Sequence, residues 1–311
     1  MKKLFRFLLG LFLFLCLLVN VIACNHAYRF THFSEDKIPR VKPEELTFKE
    51  KLNILFFGIK LPKPQIEAFP DTNYETIEIQ GQKKLEGWLI EVQNHQGIVL
   101  IFHGYGGNKS EMLEEAREFN HIGYSTFLVD FRGSGGSAGY QTTIGYHESQ
   151  DVKASFEYIQ DRFPNDNIIL YGFSMGAVAI MKSMAEDHLE ARKILLGCPF
   201  GSMRKALEQR FKMFKVPTFP LADLMMVYGG FYHDFNALKH KPSEYARKIH
   251  APTLLLYGKK DPKVSMEETE QIYNNLAGKK FLRVFEHTEH FSFLIHDREV
   301  WRQEVKAFLE N

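Results

Sequence analysis

Cysteine is scarce in this sequence and an excess of charge of either sign is absent. Its 311 residues include 3 cysteines, and 39 Lys+Arg are nearly cancelled by 38 Asp+Glu, for a formal net charge of +1. Two of the cysteines, Cys16 and Cys24, fall inside or at the edge of an apolar N-terminal run, so no disulfide framework is available to the rest. Cys198, between Gly197 and Pro199, reads as a small buried apolar side chain. The missing Lys/Arg excess excludes nucleic acid as an expected partner. There is one long hydrophobic run and a mean hydropathy of -0.25, which excludes a polytopic membrane protein, since each span needs about 20 apolar residues. What is present, 45% hydrophobic residues of which many are aromatic, is enough for a sizeable core and excludes disorder.

The N-terminus reads MKKLFR followed by FLLGLFLFLCLLVNVIAC over residues 7–24, in which only Asn20 is strongly polar. Cations followed by such a run mark a secretory signal or signal anchor. Lys2, Lys3 and Arg6 are expected to stay cytoplasmic, with the main body outside, although Arg29, Lys37 and Arg40 keep the charge asymmetry modest. Val21-Ile22-Ala23-Cys24 resembles a bacterial lipobox, in which cleavage precedes a lipid-bearing cysteine. The run is also long enough to span uncut, and that reading is placed first. Either way the expected partner is a membrane. Residues 25–70 are expected to be a connector packing on the main domain. Within it, Thr47 and Glu50 form a capping-box pattern that opens a helix through Phe57, and Pro62, Pro64 and Pro70 follow.

From residue 71 to 311 short apolar runs alternate with amphipathic helical stretches. The runs are 74–80, 85–92, 98–102, 125–129, 168–171, 194–196, 253–257 and 281–285. Runs of this length between helices indicate an α/β fold with a mostly parallel sheet covered on both faces, and the first two, joined near Gly81, read as an antiparallel hairpin at its edge. Ligands in such sheets bind beyond the carboxyl ends of the strands.

Gly172-Phe173-Ser174-Met175-Gly176 stands after the fifth run and before a helix. In that context Gly-x-Ser-x-Gly is a tight turn that projects the serine oxygen, with glycines where a Cβ would collide with the neighbouring strand and helix. A serine nucleophile needs a base, and the base needs an orienting carboxylate. Asp261 follows the seventh run and His290 the eighth. His287 competes for the same role; in the serine α/β-hydrolases that this stretch resembles, the base is the histidine followed by an aromatic, which implies His290 before Phe291 and leaves His287 as a loop residue.

Residues 71–311 resemble the serine α/β-hydrolases, in the order Ser174, Asp261, His290, and among them bacterial esterase, lysophospholipase and serine-aminopeptidase-like members. The resemblance implies an eight-stranded α/β-hydrolase fold with a small lid insertion. Phe102-His103-Gly104-Tyr105-Gly106-Gly107-Asn108 stands where that family has its oxyanion motif. The resemblance therefore implies an oxyanion hole built from the backbone amides of Tyr105 and Met175, with His103, Gly104, Gly172 and Gly176 as structural support. Two such donors stabilise a tetrahedral intermediate, each worth about 10²- to 10³-fold in rate. Asp130-Phe131-Arg132-Gly133-Ser134-Gly135-Gly136-Ser137 matches another family loop and reads as structural, with Arg132 or Asp130 bracing its neighbours. It lacks the Gly-Lys-Ser/Thr ending of a phosphate-binding loop. No His/Cys spacing supports a metal site, and no cofactor is implied.

Some fifty residues separate Cys198 from Ala251, more than a strand connection requires, and 199–248 is the expected lid region. Met203, Leu207, Phe211 and Phe214 recur at helical spacing in a segment, Met203 to Lys215, with five basic residues and one acid. Such a helix either lies on anionic lipid or packs its apolar face on the domain, the more ordinary outcome. Val216 to Met226 adds apolar material suited to a lid or acyl pocket. The expected activity is hydrolysis of a carboxylic ester or thioester through an acyl-enzyme, with an aminopeptidase-like amide hydrolase as the alternative. A non-catalytic binding protein of the same fold is the alternative from another class.

Overall fold

The computed structural model describes residues 1–36, 47–213 and 217–311; Lys37, Arg40, Phe214, Lys215 and Val216 lie outside them. Helix α1 (Lys2–Thr31) is followed by β1 (Phe33–Ser34), α2 (Phe48–Phe57) and β2 (Leu61–Pro62), and β1 pairs with β2 in parallel. Then come the eight strands of the main sheet: β3 (Glu75–Gln80), β4 (Lys84–Ile90), β5 (Ile98–Phe102), β6 (Ser125–Asp130), β7 (Ile168–Phe173), β8 (Lys193–Gly197), β9 (Thr253–Gly258) and β10 (Lys280–Phe285). Their order is β10-β9-β8-β7-β5-β6-β4-β3. The β3–β4 and β4–β6 pairs are antiparallel and the others parallel. This is the mostly parallel eight-stranded sheet that the sequence pattern predicts.

Helices α3 (Leu113–His121), α4 (Glu148–Arg162), α5 (Met175–Glu186), α9 (Met266–Asn275) and α10 (Leu294–Glu310) cover it. Successive side chains of β5 show why the run has no polar alternation. Ile98, Leu100 and Phe102 pack with residues of α4, α5 and α9, while Val99 and Ile101 pack with Leu113, Ala116 and Phe119 of α3 and Trp301 and Val305 of α10. A strand with helices on both faces must be apolar at every position. At the edge, β3 buries only Ile77 and Ile79, the period-2 pattern of a strand wet on one face.

Between β8 and β9 lie α6 (Met203–Met213), α7 (Leu221–His233) and the short α8 (Pro242–Tyr245). Met203 and Leu207 of α6 are buried with Ala222, Met225 and Met226 of α7, so this stripe is packed inside the protein. Arg204 pairs with Glu208 and Asp223 on the outer side.

A boundary at residue 24 falls inside α1, which continues unbroken for 30 residues. Its residues through Leu17 are exposed on every side, a free apolar helix of roughly 25 Å at 1.5 Å per residue. Beyond that point Ala23, Ala27 and Thr31 are buried. Spaced by four, these small side chains form one stripe, and the helix lies against α7, with Ala23 and Ala27 clustered with Ala222, Met225 and Met226. The Tyr228 hydroxyl donates to Asn20 Oδ1 at 2.9 Å, and Cys24 Sγ lies 2.8 Å from the Tyr232 hydroxyl. The expected capping box is present, with Thr47 Oγ1 accepting from the Glu50 amide and the Glu50 carboxylate accepting from the Thr47 amide at 2.8 Å. Helix α2 itself buries no residue and leans on α1, where the His26 ring meets the Leu55 carbonyl at 2.9 Å. The stretch after it does clamp the main body: Gly135 N–H donates to Pro64 O and Asn108 Nδ2 to Gln65 O.

Candidate active site

Ser174 sits between β7 and α5 with φ 52° and ψ -112°, a positive φ that costs a non-glycine residue of order 1–3 kcal/mol and persists only when the surroundings hold it. Here its amide donates to Gly197 O at 2.7 Å, which ties the turn to β8. The flanking glycines are needed for close approach. A Cβ on Gly172 would lie 2.5 Å from the Gly176 carbonyl carbon, and one on Gly176 would lie 2.3 Å from Phe102 O. Gly104 differs: a Cβ there would meet only ordinary contacts, 3.5 Å from Phe173 and 3.6 Å from the Ser174 Cβ.

The three strand-end residues that the sequence singles out converge. His290 Nε2 is 2.8 Å from Ser174 Oγ, and His290 Nδ1 is 2.6 Å from Asp261 Oδ2. Asp261 Oδ1 accepts from the amides of Lys263 and Val264 at 2.7 and 3.0 Å, so the carboxylate is fixed from both sides. The approach depends on Gly258, where a Cβ would lie 2.6 Å from Thr288 O in the loop that carries His290. His287 is exposed on the same loop.

Met175 is the first residue of α5, where helical N–H groups have no intrahelical acceptor, and Tyr105 follows Gly104 in the turn after β5. Both line the cleft that contains Ser174 and His290. His103 is fully buried. Its Nε2 accepts from the Phe131 amide at 3.1 Å, which assigns the proton to Nδ1, and Nδ1 donates to Gly104 O at 2.8 Å. Burial pushes its pKa below the ordinary value. His103 therefore joins the loop after β5 to the loop after β6. That second loop is braced as expected: Arg132 makes a bidentate contact with Asp151 at 2.6–3.1 Å. Asp130 pairs with the fully buried Lys109 and accepts from its amide at 2.7 Å.

Cys198, Asp261 and His290 place ligand-type atoms within 4.8 Å of one another. Both His290 nitrogens are already engaged by Asp261 and Ser174, and burial pushes the Cys198 thiol far up and keeps it protonated. The donor set fits a hydrogen-bonded relay better than a cation.

The cleft has a volume of about 290 Å³. Several of its walls escaped the sequence reading: Phe30 of α1, Glu111 just before α3, Glu115 within it, Arg210 of α6, and Lys263. Arg210 carried a signal, since positions 203, 207 and 210 share one helical face and a cation on a buried stripe is anomalous. Phe30 carried none. Glu115 is buried, and burial raises its pKa to about 7; Ser292 Oγ donates to its Oε1 at 2.6 Å.

Residues 93–228 match the family model described as serine aminopeptidase, S33. The chain is 25% identical over 274 residues to the Bacillus subtilis (strain 168) protein YqkD, covering 83% of this chain and 90% of that one. It is 22% identical to a carboxylesterase of the same organism, covering 68% and 92%. The Pyrococcus furiosus esterase Pf2001 superposes with a TM-score of 0.65 at 25% identity, covering 80% of this chain and 98% of that one. A strained serine turn at the end of a central parallel strand, in a sheet of this order and with these structural neighbours, gives the chain the α/β-hydrolase fold.

Proposed function

We propose that this protein is a membrane-tethered serine hydrolase that cleaves a carboxylic ester or thioester through an acyl-enzyme. The observation that carries the reading is the continuous chain Ser174 Oγ to His290 Nε2 and His290 Nδ1 to Asp261 Oδ2, at 2.8 and 2.6 Å. Ser174 Oγ attacks the acyl carbon as His290 Nε2 takes its proton. The alkoxide or thiolate leaves with that proton, and a water then attacks the acyl-enzyme through the same base. Asp261 holds the Nδ1–H tautomer and stabilises the imidazolium. The amides of Tyr105 and Met175 receive the oxyanion, with His103, Gly104, Gly172 and Gly176 holding the two loops in place. No step requires a metal or organic cofactor.

An amide substrate is the second reading, favoured by the description of the matching family model. A panel of acyl esters against aminoacyl amides separates the two. A fluorophosphonate probe is expected to label the wild type and not Ser174→Ala. Ser174→Ala is expected to lose about 10⁶-fold in turnover, and Asp261→Asn about 10⁴-fold. Equal labelling of wild type and Ser174→Ala overturns the assignment and leaves a binding protein.

The tether is α1, uncut. Ala23, Cys24 and Ala27 lie within its docking face on α7, which supports a span retained in the mature protein over cleavage at Cys24. Lys2, Lys3 and Arg6 put its start in the cytoplasm and the hydrolase body outside, with 199–248 as the lid. Mass spectrometry of the membrane fraction tests this; an N-terminus at a lipid-modified Cys24 overturns it.

A further inference from the structure

We propose that Arg210 and Lys263 form an anion subsite beside Ser174, so that the substrate is an acyl ester carrying a carboxylate or phosphate group. The proposal rests on the serine-hydrolase reading above. Both cations line the cleft that holds Ser174 and His290. The Arg210 guanidinium carbon lies 4.4 Å from the Phe30 ring centroid and 4.7 Å from that of Tyr105, so two aromatic rings fix its orientation. Among the described residues it makes no ion pair with a carboxylate, and Tyr105 is the one ionisable side chain that favours its charge. Lys263, exposed at the rim, feels the Arg210 charge as a repulsion, and its pKa is lowered by desolvation and by that repulsion. The acid that favours its charge, Asp261, is already engaged by His290 and by two amides.

Two like charges held together in a partly desolvated cleft disfavour each other, and an incoming anion relieves both. A guanidinium held against aromatic rings suits the two oxygens of a carboxylate or phosphate. Of the carboxyls in the same cleft, Glu115 has its pKa raised to about 7 by burial and accepts from Ser292. Phe200, Ile144 and Val264 supply apolar wall for the acyl chain.

The test uses full-length protein in detergent and two matched pairs of esters. One pair is the mono-4-nitrophenyl ester of adipic acid and its methyl-capped diester, which place the charge on the acyl side. The other is a 1-acylglycerol 3-phosphate and the uncharged 1-acylglycerol, which place it on the leaving group. Wild type is expected to favour the anionic member of one pair by at least about tenfold in kcat/KM, and that pair identifies the source of the anion. Arg210→Gln and Lys263→Gln are each expected to reduce the preference about tenfold. Lys263→Gln, at the rim, keeps the test intact if Arg210→Gln fails to fold. Octyl phosphate, but not octanol, is expected to raise the melting temperature of wild type more than that of either variant. Equal use of charged and neutral members by wild type, or a preference that both substitutions leave unchanged, overturns the subsite. An octyl phosphate shift that depends on Arg210 and Lys263 but comes without ester turnover supports the subsite and overturns the hydrolase reading instead.

Discussion

The Tyr105 hydroxyl donates a hydrogen bond to the backbone carbonyl of Phe30 at 2.9 Å, and the two rings lie 5.1 Å apart. Tyr105 lines the Ser174 cleft from the turn after β5, and Phe30 is near the end of the N-terminal helix. The last turn of the apolar helix therefore forms part of the wall of the Ser174 cleft.

That contact separates two truncations. A chain starting at residue 19 keeps the α1 docking face and is expected to hydrolyse a soluble ester within about twofold of full length. One starting at residue 32 loses a part-buried hydrogen bond and an aromatic pair, each worth about 1 kcal/mol, together with the α7 contact. Its melting temperature is expected to fall by several degrees and its kcat/KM by about tenfold. Scanning calorimetry and a 4-nitrophenyl ester assay check this, and equal behaviour of the two truncations refutes the coupling.

Glycines of the site are expected to differ in tolerance. Gly176→Ala forces a methyl group to 2.3 Å from Phe102 O, an overpacking cost of about 1–3 kcal/mol or more. Gly104→Ala places its methyl 3.6 Å from the Ser174 Cβ, within ordinary contact, and is expected to leave stability within about 0.5 kcal/mol. Denaturant unfolding of the two variants provides the comparison.

Glu115 gives a pH dependence with a definite sign. Its folded-state pKa of about 7 lies above the ordinary 4.5, so folding favours the protonated form. That contribution is full below pH 4.5 and is lost as pH rises through 7, by roughly 3 kcal/mol at about 1.4 kcal/mol per pKa unit. Glu115→Gln removes the titration, so its stability relative to wild type is expected to improve between pH 5 and 8. A difference that is flat with pH refutes the assignment.

The brace behind the turn after β5 is ionic. Lys109 and Asp130 are both fully buried and paired, and Lys109 also reaches Glu86 at 2.7 Å. Removing one partner leaves an uncompensated buried charge, so Lys109→Met is expected to cost about 3–5 kcal/mol. Lys109→Met combined with Asp130→Asn is expected to recover part of that loss in the same unfolding measurement.

The sequence by itself determined the sheet, the serine turn and the strand-end positions of Ser174, Asp261 and His290. These are local properties: apolar runs of strand length between helical stretches, glycines at fixed offsets, and a Thr47–Glu50 cap that needs only its own turn. It did not determine what surrounds Ser174. Phe30, Arg210 and Lys263 come from three separate elements, and hydropathy periodicity marks a face as buried without naming what buries it. The same limit applies to α1, whose apolar run reads as a free span to residue 24. Only the tertiary structure shows that Ala23 and Ala27 pack with Ala222, Met225 and Met226 of α7, some two hundred positions later in the chain.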